Sequence, residues 1–452
     1  MKQITHIVSL VLMTLLCISC YKSDVDNLYD KSPEERTAQA LEDIRTDLIN
    51  SEMGWYTEYT FYINDGSEEE KELSSPFIVK FKDDNRVDIK SVYEGYEQKE
   101  SSYQLKYAQQ VDLVFDTYSV FSYLVDIVRH ADFRWELDSI NADKYYFTSR
   151  ASQTEGVTYL TLERADAQSL QRYEEAKEEF KKNMAIQDIR RALMRDSSEP
   201  YFRNLKIESL DQGFAFEYTS SNDMMTFKGV FVGSNNVLTH GTVVTINPDG
   251  EIVLNNPFEI GGKFIRALHF DIETGKLVIS DSDDWKGEVI YETQPAFTSV
   301  GLANTFMRWN YAFTNQYSDA LIDLLNDVIN NNIAGFQTFQ FYNNFGEQSI
   351  NGIMIYTDPA PDNANRWDGM ENTILTKLDE DIVFFDKTNA TMGFRGAQWF
   401  SEAYSDSESL RAVYDNFLCD PQGLYLDYDV TANTMMLVSK RDPKLYIRLK
   451  NE

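Results

Sequence analysis

The chain has 452 residues, 42% hydrophobic and 13% aromatic, enough for several cores and too apolar for global disorder. Its 73 acidic against 42 basic residues give a formal net charge of −31, which repels nucleic acid phosphates and anionic lipid surfaces. No nucleic acid partner is expected; glycans, peptides, metal ions or a basic protein face fit better.

Residues 1–20 carry one lysine, Lys2, then an apolar stretch from Ile7 to Ile18, with Ser19 ahead of Cys20. A positive start, a short apolar core and a small residue before the cut describe a secretory signal peptide, here 1–19. With cysteine first in the mature chain, it looks like a bacterial lipoprotein signal, and Cys20 is the expected lipid attachment site. Cys17 stands where such signals usually have leucine. The stretch is too short to span a membrane, which takes about 20 residues. Acyl chains on Cys20 would anchor the protein almost permanently, each methylene adding about 0.8 kcal/mol. Residues 20–32 read as the lipidated tether, and Asp24 and Asp26 resemble the surface-export signals of Bacteroidetes lipoproteins. Once the signal is gone and Cys20 is acylated, Cys419 is left alone, so neither an intramolecular disulfide nor a cysteine zinc site is expected.

The first helix is announced by Ser32 as N-cap, Pro33 in the first turn and Glu35 as reciprocal partner, with Leu41, Ile44 and Leu48 on one face. From Trp55, alternation of Trp55, Tyr59, Phe61 and Ile63 reads as a strand. Asp26-Asn-Leu-Tyr-Asp-Lys-Ser-Pro-Glu-Glu-Arg36, Gly54-Trp55-x-x-Glu58-Tyr59, Ser102-Tyr-Gln-Leu105 and Phe115-Asp-Thr-Tyr118 together resemble a family of Bacteroidetes lipoproteins known only as a domain of unknown function. The resemblance implies location and company: an outer-membrane protein facing the cell surface, beside an uptake porin and its lipoprotein lid, often near a zinc metallopeptidase. It carries over no catalytic residue.

Phe77 to Ile89 alternates about a D-D-N turn as a hairpin, and Phe121, Leu124 and Val128 mark a helix within Asp116–His130. The stretch from Phe133 then reads as a three-stranded meander that recurs from Leu268 and Leu424, with Ser149, Ser280 and Ser439 ending the second strand of each. Earlier pieces recur as well: the strand after Gly54 resembles those after Gly213 and Gly335, and the Phe77 hairpin resembles that from Thr242 with its N-P-D-G turn. A second helix spans about Ala167–Arg195, with Leu170, Tyr173, Phe180 and Met184 along a face, and a third ends near Asn330. The order predicts an α+β protein, mostly antiparallel β, of three divergent helix-plus-antiparallel-sheet units, 30–164, 165–293 and 294–452. Units one and three have an extra helix before the meander (Asp116–His130, Trp399–Leu418) that the middle one lacks.

Enzyme motifs are scarce. H-E-x-x-H, G-x-S-x-G and the phosphate-binding G-x-x-x-x-G-K-S/T are absent from the sequence. His130, His240 and His269 have no metal-ligand neighbour at useful spacing, and no metal, cofactor or catalytic residue is expected. The acidic loop Asp281–Gly287 lacks the EF-hand pattern and reads as a solvated turn. Asp358–Gly369 reads as a long insertion in unit three, and Arg366, Trp367 and Asp368 are its candidate ligand contacts, the indole stacking on a sugar or peptide. Strand aromatics such as Tyr59, Phe61, Tyr145 and Tyr146 read as core. The expected function is a binding or accessory lipoprotein of an outer-membrane nutrient-uptake system, with a glycan or peptide as ligand. A glycan or peptide hydrolase and a structural or adhesive surface protein are the alternatives.

Overall fold

The computed structural model describes residues 31–63, 71–93, 98–107, 109–115, 119–128, 131–150, 158–230, 237–298, 301–331, 336–345, 350–357, 366–379, 381–392, 408–429 and 432–451. Two compact units divide the chain, Met1–Lys182 and Asn183–Glu452. The described strands form three closed antiparallel barrels of eight strands each, one in the first unit and two in the second. This is the expected α+β class of three helix-plus-sheet units.

In the first unit α1 (Pro33–Ile49) precedes β1 (Trp55–Ile63), β2 (Lys71–Phe81), β3 (Arg86–Lys90), β4 (Gln98–Tyr107) and β5 (Val111–Phe115). After α2 (Val120–Ile127) come β6 (Arg134–Asn141), β7 (Lys144–Ser149) and β8 (Tyr159–Arg164), and β8 pairs with β1 to close the barrel. The N-terminus of α1 is fixed by the expected capping box: Ser32 Oγ accepts the Glu35 amide at 3.2 Å and Glu35 accepts the Ser32 amide at 2.8 Å. At the other end Trp55 Nε1 donates to the Leu48 carbonyl at 2.8 Å, satisfying an acceptor that the helix leaves open. Alternation sends Trp55, Tyr59, Phe61, Phe77, Val79 and Phe81 inward, all buried. From α2, Phe121 enters this core, its ring 4.8 Å from Phe115, 5.1 Å from Trp135, 5.3 Å from Phe77 and 5.7 Å from Tyr59. Burying a side chain of that size contributes about 2–3 kcal/mol. Apolar residues inside the barrel are the reverse of a membrane-spanning barrel, whose apolar band faces lipid. No helix among the described residues is long and apolar enough to cross a membrane.

Helix α3 (Ala167–Leu193) supplies Tyr173 to the first unit, where its hydroxyl donates to the Ser91 carbonyl at 2.9 Å. Its last turns belong to the second unit and bury Ile189 and Leu193 in the next barrel. That barrel runs β9 (Phe202–Ile207), β10 (Phe214–Thr219), β11 (Met224–Val230), β12 (Val237–Ile246), β13 (Glu251–Ile260), β14 (Lys263–Asp271), β15 (Lys276–Ser282) and β16 (Gly287–Glu292), closed by β16 on β9. Gly250 ends the expected N-P-D-G turn with φ +93°, and at Gly229 a Cβ would lie 2.4 Å from the Phe214 ring. The third barrel comprises α4 (Leu302–Phe306), β17 (Tyr311–Tyr317), α5 (Asp319–Asn331), β18 (Phe336–Phe345), β19 (Ile350–Thr357), β20 (Arg366–Asp379) and β21 (Ile382–Met392). Helix α6 (Glu408–Val413), continued by a π-turn over Tyr414–Leu418, leads to β22 (Leu424–Asp429), β23 (Thr434–Ser439) and β24 (Tyr446–Asn451). Its core gathers Leu321, Leu325, Leu410, Val413 and Phe417 from the helices.

The three meanders occupy the same place, strands six to eight of each barrel. Helices α2 and α6 precede them in barrels one and three, whereas in barrel two Gly261 and Gly262 alone join β13 to β14. A serine hydroxyl accepts a backbone amide across each last turn: Ser149 from Thr158, Ser282 from Trp285 and Ser439 from Asp442. The expected Ser280 instead donates to Glu251. Other equivalences are displaced. Gly54 precedes the first strand of its barrel, but Gly213 precedes the second, and the hairpin from Thr242 joins strands four and five rather than two and three. The third helix, α5, follows β17 instead of opening the unit. Met184 is exposed, because the apolar stripe of α3 changes side along its length. Tyr146 points away from the core between inward Tyr145 and Phe147.

A second repeat ties helix to barrel. Asp43-Ile44-Arg45-Thr46-Asp47-Leu48 in α1 matches Asp188-Ile189-Arg190-Arg191-Ala192-Leu193 in α3. In both, the Ile and Leu are buried and the Arg reaches the turn between strands two and three. Arg45 donates to Asn85, and Arg190 makes a two-pronged contact with Asp223. Asn85 and Asp223 both hold left-handed φ, 60° and 47°, which short polar side chains tolerate best. Each carbonyl accepts an amide from strand four, Tyr103 and Val244, at 2.8 Å.

Burial raises the Asp223 pKa, but hydrogen bonds from Arg190 and Tyr218 outweigh it and hold the carboxyl below its usual range. A depressed folded pKa gives stability that is present above the unfolded value, about 3.9, and lost as pH falls through the folded one. Asp223→Asn should therefore cost about 1 kcal/mol at pH 7, a gap that narrows between pH 5 and pH 3. Urea unfolding at both pH values checks this; an unchanged gap would mean that the carboxylate charge contributes nothing.

Candidate functional site

Strand β9 carries the sequence F-R-N-L-K-I with five of six residues buried, because both of its faces are covered. Leu205 and Ile207 face the core of barrel two. Tyr201 and Phe202 instead join Ile382, Tyr425, Met436, Val438 and Tyr446 of barrel three in a separate apolar cluster within the second unit. Tyr201 packs 5.1 Å from Tyr446, and Phe202 packs 5.4 Å from Tyr425. Beside this cluster the two barrels leave a cavity of about 420 Å³, walled by β9, β10, the start of β12, residues 295–297 and Leu426–Asp429 of β22.

Its polar lining is unevenly satisfied. The Tyr201 hydroxyl donates to Asp427 at 2.7 Å, and complete burial beside that carboxylate pushes the phenol well above its ordinary pKa. It is a fixed donor. Lys228 stands 3.8 Å from Glu217. Arg195 lies 4.2 Å over the Tyr201 ring, and its Nη1 is buried without a hydrogen-bond partner among the described residues. Arg203 is only 8% exposed and sits between the rings of Phe216 at 4.9 Å and Tyr291 at 5.2 Å. Its Nη1 donates to the Leu193 carbonyl at the end of α3, but Nε has no partner, and no carboxylate pairs with it among the described residues. Burial pulls its pKa down to about 10, so it stays charged at neutral pH. Next to it, Asn204 Nδ2 is taken by Glu292 and the Gln294 carbonyl, while Oδ1 is unsatisfied. Ring faces beside polar and charged side chains suit non-covalent recognition.

Arg366, Trp367 and Asp368 do not belong to a loop. They open β20, where Trp367 pairs with Tyr356 and Arg366 with Thr357 of β19. The connection itself, 358–365, lies outside the described residues, and the equivalent connections in barrels one and two, 91–97 and 231–236, are of similar length rather than tight turns. Unit three thus has no connection here that sets it apart by length from the other two. Cys20 and His130 also lie outside the described residues. The acidic turn is internally neutralised: Asp283 bonds Arg266, Asp284 bonds Lys263 at 2.7 Å, and Lys263 lies 5.3 Å over Trp285. His240 contacts the Asn256 carbonyl at 3.0 Å and stacks on Phe258, a structural role, and His269 lies 3.7 Å from Glu251. Among the described residues no group of three or more His, Cys, Asp or Glu is placed to hold a metal ion.

Arg195 and Arg203 sit in no motif that marks them in the sequence. The available signal was Arg203 itself, a charge in phase with Leu205 and Ile207 on the inward side of a strand.

A family described as a domain of unknown function, DUF4302, matches residues 25–272, more than half of the chain. The chain belongs to this family. No curated protein matches it. The DUF4302 match covers barrel one and barrel two as far as β14, so it includes the β9 and β10 walls of the cavity and stops short of the β22 wall.

Proposed function

We propose that the chain is a surface lipoprotein, anchored in the outer membrane through Cys20, that acts as a binding or accessory component of a nutrient-uptake system. The supporting observation is the cavity of about 420 Å³ within the second unit. Its size fits one or two sugar rings or a short peptide, and its lining combines the aromatic Phe297 and Tyr428 with the charged Arg195, Lys228, Glu217 and Asp427. Binding needs only shape, stacking and a few placed polar groups. The signal-like N-terminus supports the anchor, and the resemblance to lipoproteins found beside uptake porins and their lipoprotein lids supports the company. We place ligand contact at the cavity in preference to Arg366, Trp367 and Asp368.

Two outcomes are expected. Cys20→Ala should move the protein from the membrane fraction to the soluble fraction, and intact-mass analysis of the parent should find an acylated N-terminal cysteine; an unmodified N-terminus elsewhere would contradict the anchor. In a calorimetric screen against oligosaccharides and peptides, Ala215→Trp, which fills the outward face of β10, should abolish binding without lowering the unfolding midpoint. Binding that survives this change would place the ligand elsewhere.

A further inference from the structure

Strand β12 reads V-L-T-H-G-T-V-V-T-I, without a charge in a chain that is 25% charged. Its register with β11 runs from Val237 to Val243, whereas its register with β13 is confined to Val244–Leu254, Thr245–Val253 and Ile246–Ile252. The Val244 amide donates to the Asp223 carbonyl, which sets the phase. Leu238, His240 and Thr242 exchange backbone bonds with β11, and Val237, Thr239 and Gly241 turn their N–H and C=O to the other edge. Continued register would set Pro257 against Gly241, where it has no N–H to donate, and β13 bulges between Val253 and Phe258. The diverted Asn256 is held by side chains instead: its amide donates to Thr242 Oγ1 at 2.9 Å, and its carbonyl meets His240 Nε2 at 3.0 Å. Among the described residues no strand pairs with this edge of β12 over 237–241. Val237 and Leu238, on opposite faces of the strand, are 41% and 38% exposed.

We infer that β12 takes an extended peptide as an added strand at this open edge. The inference rests on the binding reading above and narrows its ligand from glycan or peptide to peptide. Alternating N–H and C=O groups along an edge match another extended backbone, and an edge with no lysine or proline to blunt it is a template for one. Continuity with the cavity sets where the side chains go. Thr239 stands opposite Lys228, Lys228 opposite Ala215 and Ala215 opposite Asn204, and all four line the cavity. An added strand extends this row by one position, so its residue beside Thr239 lies at the cavity margin. Charge disfavours a second copy as the occupant, since each chain carries −31 and two such bodies repel. The uncharged edge, and a lining in which Arg195, Arg203 and Lys228 offset Glu217, Asp427 and Asp429, suit a peptide of no net charge.

Isothermal titration of the full mature chain would use the capped, uncharged peptide that binds most tightly in the calorimetric screen. Two N-methylated forms of it, one methylated at odd and one at even positions, are the comparison. In an added strand only alternate amides face β12. One form should therefore lose at least about tenfold in affinity, the worth of one or two backbone hydrogen bonds, and the other should bind like the parent. Gly241→Pro deletes an N–H that β11 does not use, and should weaken the peptide by a similar factor with the unfolding midpoint unchanged. Gly241→Ala, whose Cβ would meet Met224 Sδ at 3.9 Å, an ordinary contact, should bind as the parent chain does. If Gly241→Pro lowers the midpoint, the two methylated forms decide alone. Equal affinity of both forms, whether both stay tight or both are lost, would overturn strand addition while sparing the binding reading. Binding of oligosaccharides alone would overturn the peptide class. A concentration-dependent dimer in sedimentation, broken by Gly241→Pro, would overturn the inference by assigning the edge to a second copy. Failure of the whole screen would overturn the inference and the binding reading together.

Discussion

A closed barrel of eight strands encloses a space that side chains can fill by themselves, and here they do. Barrel one is packed by Trp55, Tyr59, Phe115 and Trp135 with Phe121 brought in from α2; barrel two holds Phe227 and Phe258 stacked at 4.9 Å; barrel three holds Phe306 against Tyr311 at 4.9 Å. Closure also removes sheet edges that would otherwise recruit other chains. With the described interiors occupied by aromatic rings, the space open to a ligand is a surface between elements. Within the second unit that surface is the junction where β9 is buried on both faces.

The helix contacts show how divergent copies keep one construction. The D-I-R-x-x-L stretch places two apolar residues into the barrel and one arginine onto the turn after strand two, where a left-handed Asn85 or Asp223 accepts it. Asparagine in one copy and aspartate in the other do the same geometric work, but only the aspartate makes the contact pH-dependent. In barrel three α5 enters after β17, so the helix contributes Leu321 and Leu325 to the core from a different point in the chain. What persists across the three copies is the final meander and its serine-accepted turn.

Local features were legible in the sequence because short-range chemistry decides them. Ser32, Pro33 and Glu35 spell out a cap, the residues around Phe77 alternate cleanly, and N-P-D-G dictates its turn. Closure was not legible, since the pairings of β1 with β8, β9 with β16 and β17 with β24 join residues far apart in sequence. The displaced equivalence of Gly54, Gly213 and Gly335 has a related cause. Strand β9 is covered on both sides, so F-R-N-L-K-I shows no alternation and does not announce the first strand of its barrel. The same double burial hid Arg203, whose significance depends on Phe216, Tyr291 and Leu193 arriving around it. Trp367 illustrates the opposite error, an aromatic residue singled out for a loop that belongs to a strand.

We propose that recognition sits between barrels two and three, because the described barrel interiors are filled and the cavity lies at that junction. Hydrogen–deuterium exchange on the full chain, with and without the oligosaccharide or peptide bound most tightly in the calorimetric screen, tests this location most directly. Protection on binding should appear at residues 195–204 and 426–429, with the amides of β1 to β8 unchanged. Protection confined to barrel one, or to the strand around Arg366–Asp368, would contradict it.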